Sequence, residues 1–287
     1  MRENGPVTTP TDAPPPVVPR LIATDLDGTL LRDDKTLSAR TIAALGAAER
    51  AGVHVLFVTG RPPRWMDAVV SHLPAHATAI CANGAAVVDL SAGSRLIKVH
   101  PLGRAEALAV VHRVRSAAPG TTFAVEFTTG VHYEPLYPPL FQDPRATVAA
   151  AERLLYEEVP GTGAPVLKLL AHHTQIAPDA FLTLAREAVG DLVSFTRSSP
   201  SALLEAGGAG VSKARTLAEY CAERGVLAEE VVAFGDMPND VEMLHWAGTS
   251  YAMANAHPAA LSAASRRTLT NEEDGVAVVL EHLLAAR

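Results

Sequence analysis

Aromatic residues make up only 5% of this 287-residue chain, while apolar residues make up 48%. The core expected is therefore built mostly of Ala, Val and Leu. Cysteine is nearly absent. Cys81 and Cys221 lie far apart and fit no metal-ligand spacing, which excludes a cysteine metal site and makes a reduced, cytoplasmic setting the simplest expectation. There is no Lys/Arg-rich run and the net charge is −7, which argues against a nucleic-acid or polyanion partner. No apolar run reaches the length of a membrane span, and residues 1–19 lack the apolar core of a signal peptide, so no membrane partner is expected. Residues 1–19 hold six prolines and are expected to be a disordered tail.

The ordered chain begins with a short apolar run, Leu21 to Ala23, followed by Asp25-Leu-Asp27-Gly-Thr-Leu30. The run predicts a buried strand. Spacing the two acids by two residues on an extended segment puts them on one face, where like charges need a cation or a shared proton. A helix is expected from Ser38 to about Ala51, stopped by Gly52, and a doubly buried strand over 53–59 ending in Thr59-Gly60-Arg61-Pro62. A helix over 63–73 and a strand over 79–82, ending at Asn83-Gly84, complete a strand–helix–strand–helix–strand pattern, the signature of an α/β sheet. From Ala85 the texture changes. Strands are expected at 86–90, 95–101, 122–128, 131–135, 166–172 and 191–197, and helices at 104–118, 147–158 and 179–189. The α/β pattern resumes with a strand over 202–206, the stretch Gly207 to Lys213 and a helix to about Arg224. A buried strand then ends at Gly235-Asp236-Met-Pro-Asn239-Asp240. This divides the chain into a discontinuous α/β domain, 20–85 and 201–287, and an insertion, 86–200, of ordinary domain size. In the insertion, Glu126, His132, Tyr133 and Arg145 are candidate substrate contacts, and the Pro- and aromatic-rich stretch 133–141 is a candidate substrate-facing loop.

Ligands of such sheets bind beyond the carboxyl ends of the strands, which gathers Asp25, Asp27, Thr59, Gly60, Arg61, Asn83 and Asp236 at one rim, with Lys213 at a helix start able to join them. A nucleophile, a proton-transfer group, cations and hydroxyl or N–H donors together point to phosphoryl transfer, and Asp25 with Asp236 could hold Mg2+.

The motifs, in order, are Asp25-Leu-Asp27-Gly-Thr-Leu, Thr59-Gly-Arg, Gly210-Val-Ser-Lys213 and Gly235-Asp236-Met-Pro-Asn239-Asp240. With Asn83-Gly84-Ala85, Ala252-Met-Ala-Asn255-Ala256 and Asn271-Glu-Glu-Asp-Gly-Val276, they make the chain resemble the haloacid dehalogenase (HAD) superfamily, Cof-type group, over nearly all of 20–287. The resemblance implies a doubly wound, mostly parallel, Rossmann-like α/β core sheet with an inserted α+β cap domain that selects the substrate. It implies a Mg2+-dependent phosphatase of small phosphorylated metabolites, sugar phosphates or a phosphorylated cofactor, working as a monomer or homodimer. Asp25 would attack phosphorus. Asp27 would protonate the leaving oxygen and then activate water. Thr59 and Lys213 would hold phosphoryl oxygens, and Asp25, Asp236 and the backbone carbonyl of Asp27 would bind Mg2+. Asn239 and Asp240 would support the metal and the lysine. Gly60, Arg61, Asn83 and Asn239 are further candidates on the substrate side. Ala214 and Ala254 depart from the family's usual glycines without removing a functional group. Two other readings are a phosphomutase of hexose phosphates and a silent ligand-binding protein on the same fold.

Overall fold

The computed structural model describes residues 19–66, 77–91, 93–138, 143–156, 159, 161–198 and 203–285. All of the expected tail except Pro19 lies outside them, as do most of the helix expected over 63–73 and the end of the loop expected over 133–141.

The first half of the chain gives β1 (Leu21–Thr24), α1 (Ala39–Arg50), β2 (His54–Val58), β3 (Thr78–Cys81), β4 (Ala86–Asp89), β5 (Arg95–Val99), α2 (Arg104–Ala117), β6 (Thr122–Phe127) and β7 (Gly130–Tyr133). The second half gives α3 (Ala151–Leu155), β8 (Val166–His172), α4 (Pro178–Val189), β9 (Val193–Thr196), β10 (Leu203–Gly208), α5 (Lys213–Ala222), β11 (Val231–Gly235), α6 (Val241–Trp246), β12 (Thr249–Ala252), α7 (Pro258–Ala263), β13 (Arg266–Arg267) and α8 (Gly275–Ala285). The helix expected over 147–158 is shorter, and β13 had no expectation at all. Among the described residues, no helix is long and apolar enough to cross a membrane.

Two sheets result. Eight strands run in the order β13-β12-β11-β1-β2-β3-β4-β5, and every pairing is parallel except β3 with β4 and β4 with β5. β1 is central and buried on both faces. Ile22 packs into the cluster that includes α1 and α8, while Leu21 and Ala23 pack into the one that includes α5, α6 and α7. That alternation is why the run carries no polar face, and it makes the sheet doubly wound. α1 buries Thr41, Ala44, Leu45 and Ala48, one stripe of a 3.6-residue period, and begins where Ser38 Oγ accepts from the Thr41 backbone N–H.

The second sheet is antiparallel, β7-β6-β8-β10-β9. Phe123, Val125, Phe127, Leu169, Ala171, Leu204 and Ala206 face α2, α3 and α4. Successive side chains of a strand point to opposite faces, so Glu126, Lys168 and Glu205 lie on the other face of this sheet.

Sheet membership departs from the expected boundaries of 86 and 200. After β3 the chain reverses through Asn83 (φ 57°) and Gly84 (φ 105°). A left-handed pair at a two-strand reversal favours a hairpin. β4 therefore folds back on β3, and 86–99 extends the first sheet instead of leaving it. At the other end Leu203–Gly208 pairs with β8 and β9, so it belongs to the second sheet although it leads straight to Lys213.

Candidate active site

The parallel strands β1 and β11 end side by side, and the Asp25 N–H extends their ladder by donating to the Phe234 carbonyl at 3.0 Å. This fixes Asp25 opposite the start of the Gly235–Asp240 turn. Lys213, first residue of α5 after its Ser212 cap, reaches across the gap. Its Nζ donates to Asp25 Oδ1 at 2.6 Å and to Asp240 Oδ1 at 2.7 Å, and its side chain is 0% exposed. Asp240 Oδ2 accepts from the backbone N–H groups of Asp236 and Met237, which closes the turn. Thr29 Oγ1 donates to Asp236 Oδ1 at 2.7 Å.

Carboxylate oxygens from Asp25, Asp236 and Asp240 all lie within 4.8 Å of one another. Three buried acids thus share one ammonium. Burial pushes Asp25 well above the usual carboxylate range, against the attraction of Lys213 and with added repulsion from Asp240 and Asp236. Burial, then repulsion from Asp240, raises Asp236 to about 7. Burial alone would lower Lys213, but Asp240 and Asp25 outweigh it and hold the ammonium above its usual value. An oxygen-only donor set with surplus negative charge suits a small hard divalent cation.

Asp27 stands apart from this group. Arg61 grips it with two hydrogen bonds, Nε to Oδ2 at 2.6 Å and Nη2 to Oδ1 at 2.7 Å, and Lys35 Nζ lies 3.0 Å from Oδ1. Burial favours protonation of Asp27, yet these bonds and charges outweigh it and lower its pKa. Of the expected metal ligands, Asp27 can therefore contribute only its backbone carbonyl, because its carboxylate is taken. Arg61, open from the sequence to a substrate contact or to pairing with an acid, pairs with Asp27. Asp240, expected as support, belongs to the acidic cluster itself.

The remaining candidates border the cluster. Buried Thr59 accepts through Oγ1 from the Arg61 N–H at 3.1 Å, and the Gly60 carbonyl accepts from Lys168 Nζ at 2.7 Å. Asn83 and Asn239 bond to each other, Asn239 Nδ2 to Asn83 Oδ1 at 2.9 Å. Lys168 and Glu205 drew no attention in the sequence. Each is a lone charged residue inside a largely apolar strand, Lys168 in Val166–His172 and Glu205 in Leu203–Gly208, and that is the signal that could have found them. Glu126 is buried but bonds Arg64 bidentately at 3.0 and 2.8 Å, joining the second sheet to the first. Arg145 is exposed and bonds Asp143.

One glycine in the site is obligatory on geometric grounds. Gly28 has φ +81°, and a Cβ there would stand 2.4 Å from Asp236 Oδ2. Gly28→Ala should lower stability by about 1–3 kcal/mol and displace Asp236. Thermal unfolding measures the first effect, and a weaker response to added Mg2+ reports the second.

Comparison with known proteins identifies the family to which this sheet and its buried acid–lysine–acid cluster belong. Residues 22–280 match the haloacid dehalogenase-like hydrolase family. The chain belongs to that family. The 5-amino-6-(5-phospho-D-ribitylamino)uracil phosphatase YitU of Bacillus subtilis is 30% identical over 267 residues, covering 92% of this chain and 97% of that protein. The pyridoxal phosphate phosphatase YbhA of Escherichia coli is 28% identical over 281 residues, covering 92% and 99%. A haloacid dehalogenase-like hydrolase from B. subtilis has the same fold, with a TM-score of 0.77 at 24% identity over 92% of this chain and 99% of that one. The chain is an enzyme, a HAD-type phosphoric monoester hydrolase.

Proposed function

We propose that the chain is a Mg2+-dependent phosphatase of small phosphorylated metabolites, sugar phosphates or a phosphorylated cofactor, acting through an aspartyl-phosphate on Asp25. The observation that carries this reading is the buried Asp25–Lys213–Asp240 bridge beside Asp236, a nucleophile with its counter-charge and surplus acids at one strand end. The two curated relatives named above act on a phosphorylated pyrimidine–ribityl compound and on pyridoxal phosphate, and these names support the cofactor end of the class.

Asp25 Oδ attacks phosphorus and the bond to the leaving oxygen breaks. Asp27 supplies the proton to that oxygen. Water then attacks the aspartyl-phosphate, Asp27 takes its proton, and phosphate leaves with Asp25 regenerated. Thr59 and Lys213 hold the phosphoryl oxygens. The carboxylate form in which Arg61 and Lys35 hold Asp27 suits the water-activating half. For the first half Asp27 must carry a proton, which its contacts with Arg61 and Lys35 oppose. Asp25, Asp236 and the Asp27 carbonyl would hold Mg2+, with Asp240 close by, and the ion would neutralise charge on the phosphoryl oxygens. The second sheet with α2, α3 and α4 is the cap, and it excludes water and reads the leaving group.

Asp236 gives this reading a pH signature. Its folded-state pKa of about 7 lies above that of an unfolded aspartate. The stability tied to its proton is therefore present in acid and is lost as pH rises through about 7. Mg2+ supplies the missing positive charge. It should stabilise the protein by about 2–3 kcal/mol near pH 8 at saturation and by much less near pH 5. Thermal melts with and without Mg2+ measure this, and equal shifts at both pH values would contradict it. A phosphate-release screen over many phosphorylated metabolites with Mg2+ tests the function itself. No turnover across a broad panel would overturn it.

A further inference from the structure

Glu205 is a buried junction. It sits on β10, on the face of the second sheet turned toward the first. Its Oε2 accepts from Lys168 Nζ and, at 2.9 Å, from Asn83 Nδ2, and its Oε1 accepts from Ser198 Oγ. Lys168, also from the second sheet, donates to the Gly60 carbonyl. Two side chains of this sheet thus grip both turns of the first sheet that border Asp25, Thr59-Gly60-Arg61 and Asn83-Gly84.

The bond to Asn83 does more than hold. A carboxylate can only accept, so Asn83 must present its NH2 group to Glu205. Its carbonyl oxygen then faces Asn239, and Asn239 must in turn present its NH2 to Asn83. That leaves Asn239 Oδ1 turned away from Asn83. It is a buried acceptor without a partner among the described residues, three residues from Asp236 in the turn that closes the acidic cluster. Removing the acceptor at Glu205 would free both amides to flip, and a flipped Asn239 would turn a donor toward the place where an acceptor now stands.

We propose that Glu205 is a positioning residue: seated from the cap, it fixes the amide polarity of Asn83 and, through it, of Asn239, so that the phosphoryl site is correctly ordered only when the cap is docked. This deepens the proposed phosphatase reading and rests on it for the kinetic arm of its test alone.

Truncating Glu205 by itself would strand a buried ammonium, so the main variant is the double Lys168→Met/Glu205→Leu, which removes both charges and keeps apolar volume. Glu205→Gln is the conservative variant: it removes the counter-charge but does not strand Lys168 without an acceptor, since an amide oxygen can still accept from Lys168 and Asn83 while Ser198 rotates its hydroxyl. The first readout is hydrogen exchange of the Asn239 side-chain amide by NMR, on a residue Glu205 does not touch. The double variant should speed it by about 10-fold or more while backbone amides of β11 stay protected, and Glu205→Gln should stay near wild type. The second readout is kcat and KM on a small aryl phosphate with Mg2+, whose leaving group is fixed across the variants. The double variant should lose about 10-fold or more in kcat with little change in KM, and Glu205→Gln should retain most of the activity.

Unchanged exchange at Asn239 in the double variant would overturn the inference. So would a loss confined to KM, which is the mark of a leaving-group contact, or a Glu205→Gln variant as impaired as the double. If wild type releases no phosphate, the phosphatase reading fails, and the exchange arm still decides the relay.

Discussion

Asp25→Asn should reduce phosphate release from an aryl phosphate by at least about 10^4-fold while the protein stays folded. Asn keeps the shape of the side chain and its place at the end of β1, and it has no carboxylate to attack phosphorus. The fold should tolerate it because Asp25 is one of three acids around a single ammonium. Burial and repulsion from Asp240 and Asp236 already act against its charge. Lys213 loses one partner and keeps Asp240 at 2.7 Å. The melting temperature should therefore stay close to wild type or rise. Steady-state kinetics beside a thermal melt checks both halves. Activity within about 10-fold of wild type would remove Asp25 from the chemistry.

Lys213→Met has the opposite profile, because it damages the fold and the reaction together. Its ammonium is the counter-charge that the structure gives to Asp25 and Asp240 inside a fully buried bridge. Removing one member of such a bridge leaves charge without a partner and costs about 3–5 kcal/mol. The loss should ease as pH falls, because the stranded carboxylates can then take up protons and no longer need the lysine. Activity should fall by at least about 10^2-fold, since the proposed mechanism sets this cation beside the phosphoryl oxygens. Chemical denaturation at two pH values separates the two effects. A variant as stable as wild type at neutral pH would show that the carboxylates are solvated or protonated, not paired as described.

Much of the candidate site was legible in the sequence because three of its four motifs sit where parallel strands end, and such strands bring their ends to one rim whatever lies between them. Asp25, Thr59, Asn83 and Asp236 were placed together on that rule alone. Strands from 21, 54 and 231 were equally legible, since burial on both faces forces continuous apolar runs. What could not be read was pairing. The segments 86–99 and 203–208 are strands in either domain, and only the hairpin reversal at Asn83-Gly84 and the partners β8 and β9 assign them to their sheets. The sequence admitted the Asp240 contact with Lys213 and the pairing of Arg61 with an acid, but it could not choose the acid that Arg61 holds. A charged residue near an acidic site can face substrate, metal or another side chain, and the choice depends on distances of an ångström or two. Lys168 lies far from every motif and Glu205 sits on the strand before Gly210, and a lone charge in an apolar strand does not say that its side chain lies against Asn83 or Gly60.

The central claim is a covalent phosphoryl group on Asp25. It is tested most directly by acid-quenching a reaction of the Asp27→Ala variant with an aryl phosphate and Mg2+, then mapping the modified peptide by mass spectrometry. Without Asp27 to activate water, the adduct should accumulate. The mass of one phosphoryl group should appear on the peptide containing Leu21 to Leu30 and disappear when Asp25 is also changed to Asn. A wild-type enzyme that turns over while the quenched variant carries its label elsewhere, or a label that survives Asp25→Asn, would contradict the account.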